Sequence, residues 1–470
     1  MAFPQGPKLP SVLQLLSYTV QPLQFLDTCA KQYGEIFTVK LAGYGQFVIV
    51  SNTKLIEEIF AADPAVAHSG EANDTLFRPA LGARSVLLLD EKPHARQRKL
   101  LLPPLHGDRM RAYLTTIRET TFEVIDRWPT GQVVTIDESM REITLRVILQ
   151  TVFGVNDKEQ FQVLTDLIHD MLAETVTPFV LLGPLIPERL RHWSPRWARF
   201  LQNVHQLRAR VGEIISRSRY SPDLAKRSDV LAILLQARDE DGQPMDDEEI
   251  CDELITLLLA GHDTSAAALS WAVREILASP SVLRRTVDEA APAARSDFSA
   301  AELARLEYLD AAIKEALRLR TVVPLTVRLL KAPLSLGPWE LPAGARVAPC
   351  MHLVHHRSDL YPYPEAFRPA RFLERKYGPY EWFPFGGGNR RCLGMAFSLY
   401  EMKVLLSTLF SSLKLKLVGE ATVRPTRRGV LLTPKGGTKV IVLERSRPGA
   451  TSTKQSEAKQ TASSAVASTP

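Results

Sequence analysis

The sequence predicts a mainly α-helical protein with small β-sheets near its two ends, and three observations lead there. Helical hydrophobic periodicity dominates the middle of the chain, and strand-like alternation is confined to short runs near the ends. No β–α–β series recurs, and no G-x-G-x-x-G loop follows a strand, which excludes a fused nicotinamide- or flavin-binding module.

Each element follows from local chemistry. The lead PQGPKLP (4–10) is proline-rich and cannot be helical. EIFTVKLAGYGQFVIVSN (35–52) alternates like two strands around a Gly-rich turn, a hairpin signal. Helical periodicity follows in NTKLIEEIFAA (52–62), and from about Pro93 to Leu235 the chain reads as helices with Pro- or Gly-bearing breaks. One of these breaks, TPFVLLGPLIPERL (177–190), is apolar for a connector. A long helix begins at an Asp-x-x-Glu capping pattern, Asp246 and Glu249, and stops at Ser279-Pro280. It spans about 50 Å at 1.5 Å per residue. SAAELARLEYLDAAIKEALRLR (299–320) reads as one amphipathic helix, and residues 324–350 read as short strands. A proline-rich meander to Pro384 leads to the loop FPFGGGNRRCLG (383–394) and the helix MAFSLYEMKVLLSTLFSSL (395–413). The last strands lie in LKLKLV, GVLLTP and TKVIVLE. The Ser/Thr/Ala-rich tail 449–470 reads as disordered.

Composition narrows the function. Length, 470 residues, suggests about three domains, yet the elements read as one large domain over 1–448. Net charge is +6, mildly basic, but no nucleic-acid recognition motif is present. Cys29, Cys251, Cys350 and Cys392 form no C-x-x-C pair, against a zinc cage. No signal peptide opens the chain, so the expectation is a cytoplasmic protein with reduced thiols. LITLLLAGHDTSAAALSWAV (254–273) imitates a membrane span, but Asp263 at mid-span would cost about 2.5–3.5 kcal/mol. A buried helix fits better, and no membrane anchor is expected.

The chemistry concentrates in the glycine loop. A lone cysteine is ordinarily a small buried hydrophobe. Around Cys392, however, Gly386, Gly387 and Gly388 let backbone approach a flat object closely, and a helix beginning just after it favours the thiolate. Arg390 can pair with a carboxylate on the same object. An axial thiolate on haem iron, with propionates to neutralise, uses all of these features.

The residues then match a family. Phe385, Gly388, Arg390, Cys392 and Gly394 resemble the F-x-x-G-x-R-x-C-x-G signature of the cytochrome P-450 superfamily of haem-thiolate monooxygenases. AGHDTS (260–265) is similar to its oxygen-activation motif, EALR (315–318) to its E-x-x-R, and FRPARF (367–372) to its P-x-R-F segment, with Ala370 where Glu is commoner. The resemblance spans roughly Pro4 to Glu444 and looks like the soluble bacterial type, acting on fatty-acid-like or terpenoid compounds.

The resemblance implies the P-450 fold, with haem b between the long helix and the cysteine helix. It implies Cys392 as axial iron ligand and Asp263 and Thr264 as the proton-handling pair, beside Ala260 and Gly261. An acid and an alcohol in an apolar helix are costly unless satisfied or used. It also implies His94, Arg98, Arg328 and Arg390 on the haem propionates, with Phe385 at the haem. Glu315, Arg318 and Arg371 become a buried structural triad rather than the surface pair their spacing suggests. Dioxygen is the co-substrate, the substrate is a hydrophobic small molecule, and electrons come from a separate ferredoxin or flavodoxin with its NAD(P)H reductase. Arg96, Lys99 and Arg391 are expected to face solvent for that partner. Two other uses of the fold stay open: an isomerase or dehydratase working without dioxygen, and a haem sensor or carrier. The intact Asp263–Thr264 pair opposes the first, and donor-dependent turnover separates the second.

Overall fold

The structure is a computed structural model describing residues 3–155, 157–175, 178–186 and 194–446. The tail 449–470 lies outside the described residues, as does part of the connector 177–190. Helices dominate, and the strands form four small sheets.

The predicted hairpin joins β1 (Ile36–Leu41) to β2 (Gly45–Val50), antiparallel, with Val39 opposite Phe47. Gly43 supplies the turn with a φ of +80°. With β3 (Ala67–His68), β5 (Arg328–Leu330) and β8 (Arg346–Pro349) they form a five-stranded sheet in the order β1-β2-β8-β5-β3. A second sheet places β12 (Lys439–Arg445) between β4 (Val133–Thr135) and β9 (Leu413–Val418). Strands β6 (Leu334–Leu336) and β7 (Trp339–Leu341) pair with each other, as do β10 (Pro425–Arg428) and β11 (Leu431–Pro434).

The long helix runs from Asp247 to Ala278, capped by the Asp246–Glu249 box as the sequence predicts. It serves two apolar cores. Its first half puts Leu254, Ile255 and Leu258 into a cluster with Leu145, Leu207 and Val211. Its second half puts Leu269, Val273 and Ile276 into another with Leu309, Ile313 and Leu409. Full burial of one such side chain is worth about 1.5–3 kcal/mol, so both halves are firmly held. Between the clusters the packing opens: Ala260 is exposed, and Gly261, Asp263 and Thr264 are half-buried. No described helix is long and apolar enough to cross a membrane.

One predicted element divides. Residues 299–320 form two helices, Ala300–Ala304 and Glu307–Leu319, not one. The cause is distant in sequence: the carboxylate of Glu289 accepts hydrogen bonds from Tyr308 N (2.9 Å) and Leu309 N (2.7 Å), starting the second helix afresh.

Candidate active site

The glycine loop is built by close approach. Gly388 has a φ of +65°, and a Cβ there would meet Phe60 O at 2.5 Å, so no other residue fits without movement. Cys392 N donates to Phe385 O (2.9 Å), turning the loop back on itself. The helix Met395–Ser412 begins just beyond.

Cys392 is accessible, yet its sulfur sits deep enough that burial raises the thiol pKa, with the Gly394 amide and Arg98 pulling it down in part. The expectation that the helix start favours the thiolate is corrected here: desolvation outweighs the amides for the free thiol. A coordinating metal deprotonates a thiol outright, so this does not oppose ligation. Ala260, in the middle of an otherwise buried helix, is likewise exposed. Ser265, next to Thr264, lies 3.4 Å from Ser398 on the cysteine helix, so the opened stretch and the sulfur belong to neighbouring elements.

Cations gather beside the sulfur. His94 and Arg98 lie four apart on the helix Glu91–Leu101. The ring of His94 is held to about 3, first by burial and then by Arg390 and Arg98. Arg328, 3% exposed, is lowered to about 10 by burial and by Arg390, and Arg390 is lowered to about 10 by burial. Arg390 pairs with Asp90 and donates to Val86 O (3.3 Å). The sequence expectation gave Arg390 a ligand carboxylate; in the structure it also has Asp90 as a partner, which the sequence did not show. Among the described residues Arg98 and Arg328 have no carboxylate within ion-pair distance. Two buried or half-buried guanidiniums without counter-ions fit a group that brings its own carboxylates.

On the long helix Thr264 Oγ1 donates to Ala260 O (2.5 Å), bonding back to its own helix as expected. Gly261 has a second purpose beyond opening a groove. A Cβ there would meet Ile148 Cδ1 at 2.8 Å, so glycine lets the helix Ile136–Thr151 pack closely. Asp263 Oδ1 lies 3.8 Å from His262 Nε2 and 3.9 Å from Arg428 Nε.

The triad geometry is complete. Glu315 and Arg318 are fully buried, and Glu315 accepts from Arg318 Nε (2.7 Å), Arg318 Nη2 (2.8 Å), Arg371 Nε (3.0 Å) and Arg368 N (2.9 Å). Arg318 Nη1 continues to His355 O (2.7 Å), and His355 Nε2 accepts from Phe383 N (3.1 Å). The triad is thereby tied to the start of the cysteine loop.

Sequence reasoning missed several partners. Asp90 binds the cysteine loop through Arg390 and caps the helix Gly70–Leu81 by accepting from Ser69 N, Gly70 N (both 2.9 Å) and Glu71 N (2.9 Å). Its nearest signal was position, just before HARQR. Asp252 and Glu253, fully buried at the start of the long helix, hold Arg84 N (2.9 Å) and Val86 N (2.7 Å). Arg96, expected free, is paired with Asp239 (2.6 Å) and Glu249 (3.0 Å), and Lys99 is paired with Glu240. Arg391 is exposed and has no ion pair among the described residues. A surface groove of about 420 Å³, lined by Leu114, Arg118, Phe122 and Arg445, shares no residue with this site.

The family model described as Cytochrome P450 matches residues 4–442. The chain is similar to "Putative cytochrome P450 135B1" of Mycobacterium tuberculosis, 37% identical over 442 residues, covering 94% of this chain and 92% of that one. It is also similar to "Putative cytochrome P450 135A1" of the same organism, 36% identical over 448 residues and covering 95% and 96%. Among solved structures, the retinoic acid-bound cyanobacterial CYP120A1 superposes with a TM-score of 0.80 at 24% identity, covering 95% of this chain and all of that one. The haem domain of cytochrome P450DA superposes with a TM-score of 0.82 at 21% identity, covering 94% and 98%.

Proposed function

The chain belongs to the cytochrome P450 family, and from that premise we propose that Cys392 would hold its haem iron through the sulfur and that Asp263 and Thr264 handle the protons of its reaction. In general terms it is a haem monooxygenase, with haem b and dioxygen as cofactor and co-substrate. The haem, when bound, supplies the dioxygen and one-electron chemistry that no side chain provides. The rest is the work of the chain's own residues.

Cys392 Sγ anchors the group from the glycine loop, where the Phe385 carbonyl fixes the backbone. Arg98 and Arg328 offer charge to its carboxylates, with His94 as a neutral donor beside them. Arg390 acts one step removed, holding the loop to Asp90. Ala260 and Gly261 leave room beside the helix. Thr264 keeps its hydroxyl at the opened stretch, and Asp263 carries the proton it needs, a positioned transfer typically worth about 10²–10⁴ in rate. The substrate is a hydrophobic small molecule, fatty-acid-like or terpenoid, taking one oxygen atom into a C–H bond or across a C=C bond. Half-buried Phe77, Leu87, Leu257 and Leu259 supply apolar wall that excludes water. Electrons come from a ferredoxin or flavodoxin served by an NAD(P)H reductase.

The observation that carries this reading is the exposed Cys392 at the end of the glycine loop, close to guanidiniums without counter-ions. Its test is the reduced, CO-bound protein, which should show the red-shifted Soret band of thiolate ligation. Cys392→His should lose that band while Cys29→Ser, Cys251→Ser and Cys350→Ser keep it. Retention of the band in Cys392→His would overturn the assignment. A hydrophobic substrate panel read by haem spin-state change then defines the compound class.

A further inference from the structure

Asp263 has neighbours that its proton-handling role does not explain. Its Oδ1 lies 3.8 Å from His262 Nε2 and 3.9 Å from Arg428 Nε. Both nitrogens are buried, and neither has a hydrogen-bond partner among the described residues. These separations from Oδ1 are too long for direct bonds and within the span that a bridging water covers.

The donors and acceptors can be assigned. The other ring nitrogen of His262, Nδ1, lies 3.1 Å from Thr144 Oγ1. That hydroxyl also lies 3.2 Å from the carbonyls of Arg141 and His262, and we assign its single proton to a carbonyl, so that its oxygen accepts Nδ1–H. The ring is neutral: burial holds it to about 4, with Asp263 raising it and Arg141, His169 and Arg428 lowering it. Nε2 therefore presents a lone pair toward a carboxylate oxygen. Two acceptors face each other with a guanidinium N–H beside them. Left so, each of these groups would lack a partner it had in water. One water relieves all three, accepting from Arg428 Nε–H and donating to His262 Nε2 and to Asp263 Oδ1.

We propose that His262, Arg428 and Asp263 form a buried water-binding site, and that His262 and Arg428 act through it as positioning residues for the acid. The inference rests on the proposed role of Asp263 and deepens it. With Oδ1 occupied as an acceptor, Oδ2 is the oxygen left to exchange protons. The carboxylate faces the guanidinium of Arg428, with Arg141 on the neighbouring helix adding a second positive charge.

The test uses the haem-loaded protein. A crystal structure that resolves water should show a peak about 2.8 Å from each of the three atoms. His262→Phe should abolish the peak, and His262→Gln, whose amide oxygen can accept, should keep it. Product formed per NADPH with a surrogate ferredoxin should fall about tenfold in His262→Phe and recover in His262→Gln, short of the roughly 10²–10⁴ expected for losing the acid itself. Haem content and the CO-difference band should stay at parental values in both variants. A dry triangle in the parent, or Arg428 bonded directly to Asp263, would overturn the site. A glutamine variant as uncoupled as the phenylalanine one would overturn the positioning role. Failure of the thiolate reading would appear separately, as loss of the CO band in the parent.

Discussion

Glu315→Gln is the sharpest probe of how the cysteine loop is held. Glu315 accepts four hydrogen bonds, three of them from two guanidiniums that are 0% and 2% exposed. The amide keeps the volume but removes the charge and turns an NH₂ group toward donors. Arg318 and Arg371 are then buried with no carboxylate to pair. Breaking one partner of a buried ion pair costs about 3–5 kcal/mol, which is about two to nearly four decades in the folded population. The exposed Arg368–Glu374 pair, 2.8 Å long, is the internal control, and Glu374→Ala should cost under about 1 kcal/mol. Because Arg318 connects through His355 to Phe383, the damage should reach the sulfur. Purified Glu315→Gln should carry substoichiometric haem and release it at lower urea, followed by Soret absorbance. Full haem content with a urea midpoint like that of Glu374→Ala would refute the reasoning.

Other outcomes follow from the same structure. Thr264→Ala should retain haem and the substrate-induced spin shift but divert electrons to peroxide or water; unchanged product per NADPH would remove Thr264 from its role. Arg391→Glu should raise the apparent KM for a small acidic ferredoxin, with reduction slowing as salt rises, because steering charges are screened beyond about 8 Å at physiological ionic strength. Lys99→Glu should act more weakly, since Lys99 already faces Glu240, and salt-independent reduction with both reversals silent would place the donor elsewhere. Glu401, fully buried on the cysteine helix, has its carboxyl pushed up to about 8 by burial. Between the ordinary carboxyl value near 4.3 and about 8 the unfolded chain is ionised there while the folded one holds its proton. Folding thus takes up a proton, and stability falls as pH rises through that window, by up to about 1.4 kcal/mol per pH unit. Glu401→Gln should flatten that slope in urea unfolding from pH 5 to 8, and parallel slopes would count against a buried, protonated Glu401.

The elements legible in the sequence are those specified by neighbours along the chain. The Asp246–Glu249 cap, the 35–52 hairpin and the glycine loop all follow from residues a few positions apart, and all three stand in the structure. The division of 299–320 was not legible, because the carboxylate that restarts the helix comes from Glu289 on another element. The site divides along the same line. Cys392 stands out by its glycine loop, and Thr264 and the Glu315 triad by the family's motifs, whereas Asp90, 300 positions from Arg390, and Arg428 beside Asp263 are brought in only by the fold. Charge by itself misled in one place: HARQRK reads as a basic face, but Arg96 is neutralised by Asp239 and Glu249 from a distant loop and helix.

Asp90 joins two regions that are usually described apart. One carboxylate receives the first amides of the helix Gly70–Leu81 and also the guanidinium of Arg390, two residues before the cysteine. The apolar wall that carries Phe77 and the loop that carries the sulfur therefore hang from a single pivot. Loss of that one carboxylate should therefore loosen the start of the helix and the loop before Cys392 together.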